Sequence, residues 1–142
     1  MRDCHAYDYA VLRLVPQVER EEFINVGVIL SCPGRTFLAT RTRLDMARLE
    51  VFAPALDADM VRRHLASFEA ICRGGLAAGP IGALPARQRF HWLVAPRSTV
   101  IQTSPAHTGW CRDPDQTLDR LLGQYVHSHP GRARPLRESG SV

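Results

Sequence analysis

Residues 7–30 read YDYAVLRLVPQVEREEFINVGVIL. Two apolar, strand-like runs flank a polar turn, Gln17 to Glu22, and one arginine, Arg13, stands in the middle of the first run. By the two-residue period of a strand, Tyr7, Tyr9, Val11, Arg13 and Val15 share one face, while Ala10, Leu12 and Leu14 share the other. Both faces are apolar, which predicts a central strand covered on both sides. Pro16 ends it, because proline cannot donate to a strand ladder. The second run, Ile24 to Cys32, places Ile24, Val26, Val28 and Leu30 on one side and Asn25, Gly27, Ile29 and Ser31 on the other. A glycine inside a strand, Gly27, predicts a bulge or the close approach of another backbone.

Outward from this pair, Pro33-Gly34 signals a turn, and Arg35 to Arg41 reads as a third strand in a hairpin. A short helix starting at Thr42 or Asp45 runs to about Phe52, ahead of Pro54. Asp57 or Asp59 caps a longer helix whose apolar stripe is Val61, His64, Leu65, Phe68, Ile71 and Cys72. Gly74-Gly75 ends it. Leu76 to Arg87 reads as a mobile loop, Phe90 to Ala95 as a fourth strand, Thr99 to Thr103 as a fifth, and Ser104 to Arg112 as a loop. Asp113-Pro114 opens a last helix, with Leu118, Leu121, Leu122, Tyr125 and Val126 on its buried face. The order β-β-β-α-α-β-β-α lacks the alternation of a parallel doubly wound sheet. The expectation is an α+β domain over residues 1–127, a mostly antiparallel sheet of about five strands with helices mainly on one face. Residues 128–142 are expected to form a disordered tail.

The totals agree with one globular domain. The chain has 142 residues, 45% hydrophobic and 23% charged, ordinary values for a packed protein. All 18 basic residues are arginine, and the formal charge is +4. A GC-rich genome produces such a bias without any function; anion or nucleic-acid binding is the functional alternative. The arginines are scattered, with their densest cluster at Arg132, Arg134 and Arg137, so nucleic-acid binding is the weaker expectation. Cys4, Cys32, Cys72 and Cys111 form no CxxC pair, which predicts free thiols in a reduced, cytoplasmic protein. No apolar run approaches the roughly 20 residues that span a bilayer, and residues 1–9 do not resemble a signal peptide.

Two groups of residues carry the functional expectations. The first is Arg13, Arg20, Glu21, Glu22 and Asn25. An arginine in an apolar strand needs a carboxylate or carbonyls, and Glu21 or Glu22 is placed to fold back onto it as an internal ion pair. The alternative is an anion- or peptide-binding pocket floored by Arg13. The second is Arg97, Ser98, Gln102 and His107, with Ser104 between them, where a turn arginine and serine present donors to an anion. Plain turn chemistry is the simpler account of this group. No catalytic elbow and no phosphate-binding glycine loop is present. His107 and Cys111 have a spacing seen in zinc sites, but no second ligand pair follows, so neither a metal nor a cofactor is expected. His64 and His91 read as core histidines in a helix and a strand.

The stretches YDYAVLRLVPQVEREEFINVGVIL and FHWLVAPRSTVIQTSPAHTG resemble an uncharacterised bacterial family, domain of unknown function 3037, over about Tyr7 to Val126. The family has no established activity, so the resemblance implies no reaction. It does imply a partner: members are often encoded beside a protein resembling the HipA kinase toxin. Family motifs would map onto Arg13, Arg20, Glu21, Asn25, Gly27, Arg97, Ser98, Gln102 and His107. The leading expectation is a non-enzymatic accessory or regulatory protein that binds a partner protein, such as a HipA-like kinase; a homo-oligomer also remains open. The second is a small enzyme or ligand-binding domain in which Arg13, Glu21, Arg97 and His107 converge.

Overall fold

A computed structural model describes residues 3–126, so the tail expected over 128–142 lies outside the described residues. The chain forms strands β1 (His5–Leu14), β2 (Ile24–Cys32) and β3 (Phe37–Thr42), then helices α1 (Met46–Phe52), α2 (Ala58–Arg73) and α3 (Ala86–Val94). Strands β4 (Ile101–Thr103) and β5 (His107–Cys111) and helix α4 (Pro114–Tyr125) complete it. All strand pairings are antiparallel, in the order β3-β2-β1-β4 with β5 also on β1. The architecture is α+β.

β1 is the central strand, and its two faces differ as its alternation requires. Ala10, Leu12 and Leu14 join Ile29, Ile101 and the buried residues of α1, α2 and α3 in one core. Tyr7 joins Val28, Leu30, Cys32, Cys111 and the α4 residues Leu118 and Leu121 in a second, smaller core on the opposite face. Three helices therefore cover one face and α4 covers the other.

β4 and β5 lie end to end along one edge of β1. Leu12 to Leu14 pair with β4 and His5 to Tyr9 with β5. Ser104 makes the joint: its Oγ accepts the Val11 N–H at 2.9 Å and its N–H donates to the Val11 carbonyl at 2.8 Å.

Several sequence expectations are corrected. Phe90 to Ala95 is not a strand; it belongs to α3, where Phe90 and Leu93 sit three apart on the buried side. Its aromatic and β-branched residues favour a strand locally, but the helical spacing of the buried pair and tertiary contacts win. Arg89 adds such a contact, donating to the carbonyls of Ile71 (2.6 Å) and Cys72 (2.7 Å) at the end of α2. In consequence His91 is an exposed helical residue and not a core histidine. The fifth strand is instead His107–Cys111, inside the segment expected to be a loop. Residues 76–87 are also not one loop: they hold two 3-10 turns, Leu76–Ala78 and Pro80–Ala83, and the start of α3.

A further correction is the face of β2. Leu12 pairs with Gly27 and Arg13 with Asn25, so Val26 is an extra residue that breaks the alternation. Val26 consequently packs in the larger core with Ile29, while Val28 and Leu30 pack under α4. Gly27 serves the bulge and a close approach together. A Cβ on it would stand 2.7 Å from the Arg41 carbonyl oxygen on β3.

The caps follow their sequence signals. Asp45, Asp57 and Asp113 each accept two backbone N–H groups at the starts of α1, α2 and α4. Pro114 occupies the first turn of α4, where its missing N–H costs nothing.

Candidate functional site

The strand register assembles one polar row. Arg13 on β1 lies between Asn25 on β2 and Gln102 on β4, as a direct neighbour of each. Arg13 stacks its guanidinium on the Phe23 ring, with Cζ 4.3 Å from the centroid. Its Nε is buried and has no hydrogen-bond partner. The neighbouring amides are already in use. Asn25 Nδ2 donates to the Tyr125 carbonyl at 2.9 Å, and Gln102 Nε2 donates to the Thr99 carbonyl at 3.0 Å. Arg43, just beyond β3, donates to the Val126 carbonyl at 3.0 Å. The row thus runs beneath the C-terminal end of α4.

The internal ion pair considered for Arg13 is not formed by either glutamate. Glu22 pairs with Arg20, Oε1 to Nε at 3.0 Å, and both are exposed. Glu21 is exposed and turns the chain back with a left-handed φ of 57°. Both belong to the loop that joins β1 to β2.

His107 pairs with Tyr9, on the same sheet face as Arg13 but four residues back along β1. At the rise of a strand that is about 13 Å. Its ring lies 5.5 Å from the Tyr9 ring, whose hydroxyl meets the Tyr125 hydroxyl at 2.8 Å. The bond to Tyr125, then burial, push the Tyr9 phenol up to about 12.

Arg97 goes elsewhere. It stacks on Trp92 of α3, Cζ 4.4 Å from the ring, and donates to the Trp92 carbonyl. Ser98 is exposed. The convergence expected of Arg13, Glu21, Arg97 and His107 is therefore absent: the structure groups Arg13 with Asn25 and Gln102, leaves His107 further along the same face, and ties Arg97 to a helix of the other core. A cleft of about 450 Å³ lies between the β1–β2 loop and the α1–α2 link, with Pro16, Phe52, Pro54, Leu56, Arg20 and Glu22 among the residues that line it.

One polar network was not legible beforehand. Asp8 accepts from Thr108 Oγ1 at 2.6 Å and from Arg87 of α3, and Arg87 also donates to Ser31 Oγ at 2.9 Å. Burial pushes the Asp8 carboxyl up, but the bonds from Thr108 and Arg87 outweigh it and hold the group below the ordinary carboxylate value. The signal was hidden because Thr108 and Arg87 lie in segments that read as loops. Other arginines are similarly consumed by the fold: Arg41 pairs with Asp115 and Asp119 of α4, and Arg62 with Asp59. All four cysteines are free. Among the described residues, no three His, Cys, Asp or Glu side chains cluster tightly enough to hold a metal ion.

At the other end of β1 the free edge is β5. Its outer side pairs with no strand among the described residues, and Trp110 on it is 71% exposed.

The model of one protein family, protein of unknown function DUF3037, matches residues 9–126. No curated protein and no solved structure matches the chain significantly. Among the described residues no helix is long and apolar enough to cross a membrane.

Proposed function

We propose that this chain, which belongs to the family of unknown function DUF3037, is an accessory or regulatory protein that binds a partner protein through the β5 edge. The observation that carries this reading is Trp110, 71% exposed on a strand whose outer edge has no partner among the described residues. An open edge offers backbone N–H and C=O groups to a further strand, and an exposed tryptophan beside it is a strong anchor for recognition. The network of Asp8, Thr108 and Arg87 supports the inner side of β5, so the edge is held in place before a partner arrives. The partner that the family resemblance implies is a HipA-like kinase encoded nearby.

The test is coexpression with that kinase, followed by gel filtration at micromolar concentration. A single peak of equal stoichiometry is expected. Trp110→Glu should split it, whereas Leu76→Glu, at a residue 97% exposed outside the sheet, should leave it intact. Two separate peaks for the unaltered pair would refute the reading.

A further inference from the structure

We propose that Arg13, flanked by Asn25 and Gln102, is a binding site for a carboxylate. Three observations converge on it. First, Arg13 is a half-buried cation that forms no ion pair or hydrogen bond with the described residues, and its Nε is wholly shielded from solvent. Desolvation of a guanidinium without a partner is costly, and an incoming anion removes that cost. Second, the guanidinium is already oriented. Its Cζ lies 4.3 Å from the centre of the Phe23 ring, which holds the group against that ring, and a guanidinium fork can meet two carboxylate oxygens side by side. Third, the two neighbours in register are amides that each donate to a backbone carbonyl. Each amide nitrogen carries a second N–H, and neither neighbour brings a charge that would compete for Arg13.

The charge of the surroundings selects the class of anion. Arg20 is paired with Glu22, and Arg43 keeps its charge but is tied to the end of α4 by its bond to the Val126 carbonyl, so Arg13 is the guanidinium at the row without a partner among the described residues. Glu19 and Glu21 stand in the adjoining loop, and the C-terminal end of α4 carries the negative end of its dipole. A dianion such as phosphate meets too much negative charge there. A planar monoanion matches the fork and the charge. The site is independent of β5: it pairs with the opposite half of β1.

Arginine Nε–H resonances of the ¹⁵N-labelled protein, followed through titrations with acetate and with inorganic phosphate at matched ionic strength, test this. Arg97, which is also stacked on an aromatic ring but bonded to a carbonyl, is the reference in the same spectrum. The Arg13 signal should move and saturate with acetate while that of Arg97 drifts without saturation. Binding should weaken at least about tenfold in Arg13→Gln and persist in Arg97→Ala. A short peptide with a free C-terminal carboxylate, compared with its amidated form, separates the sources. Binding of the free-acid peptide assigns a protein terminus, and its exclusion while acetate binds assigns a small metabolite; either supports the site. Because Arg13 is observed directly in the unaltered protein, a variant that fails to fold does not remove the test. Parallel movement of both arginines, or phosphate binding as tightly as acetate, would overturn the proposal. Trp110→Glu should leave the titration unchanged, so failure here and failure of partner docking are separate results.

Discussion

Asn25 and Tyr125, 100 residues apart, are joined by a 2.9 Å bond from the Asn25 amide to the Tyr125 carbonyl. With the Arg43 bond to Val126, it satisfies carbonyls that the last turn of α4 leaves open. Asn25 thus has a structural duty beside its place next to Arg13. Asn25→Ala should destabilise the fold by about 1–2 kcal/mol. Amide exchange at the C-terminal turn of α4 should accelerate more than exchange in α2. Equal protection of α4 in variant and parent would refute the capping role.

The Asp8 network predicts an acid-side weakness. The Asp8 carboxyl titrates below its ordinary value of 3.8 in the fold, so its contribution is present above that pH and is lost as pH falls through the lower folded value. Asp8→Asn should cost about 1–3 kcal/mol near neutral pH, because it leaves Arg87 and Thr108 with a weaker acceptor. Urea unfolding at pH 6 and at pH 3 checks this. The gap between variant and parent should narrow at the lower pH; a constant gap would show that the carboxylate charge contributes nothing.

The sheet's centre was legible because alternation is a direct reading of burial: Tyr7 on one side of β1 and Ala10, Leu12 and Leu14 on the other fall in separate cores. The helices α1, α2 and α4 were legible from Asp45, Asp57 and Asp113, whose carboxylates cap them as expected. What failed depended on long-range contacts. β5 is polar and exposed along most of its length, and it is a strand only because it pairs with His5 to Tyr9. Phe90 to Val94 reads as a strand from its residue types until Arg89 and Phe90 are seen tied to α2 and the core. The site shows the same limit. Arg13 and Asn25 could be linked from the hairpin, but Arg87 meets Asp8 only through α3.

Gly27 predicts a steric test of the bulge. A methyl group at residue 27 would meet the Arg41 carbonyl at 2.7 Å and Thr42 Cγ2 at 3.1 Å. The first contact is backbone, which cannot turn aside as a side chain can, so β2 and β3 must separate locally. Gly27→Ala should cost about 1–3 kcal/mol. Chemical denaturation reads the loss, and exchange of the β3 amides should rise with it. A variant as stable as the parent would mean that the strands yield without penalty.

The phenol of Tyr9 predicts an alkaline-side effect of opposite sign to that of Asp8. Its ordinary value is 10.0, and in the fold it is pushed up to about 12, first by the bond to Tyr125 and then by burial. The fold therefore favours the neutral phenol. That preference stabilises the protein fully below about 10 and is lost as pH rises through about 12. Tyr125→Phe removes the main cause, so the Tyr9 phenol should ionise nearer 10 and the variant should be less stable than the parent at neutral pH. Absorbance at the phenolate band, with urea midpoints taken between pH 8 and 12, measures both in the range set by this titration. The parent should hold back one tyrosine that the variant releases early, and the difference in midpoint should shrink toward the upper end. If the variant, with two tyrosines in place of three, still holds back one phenol toward the upper end of this range, the Tyr9–Tyr125 bond does not govern this titration, and α4 is held on the sheet by its apolar face and its backbone caps alone.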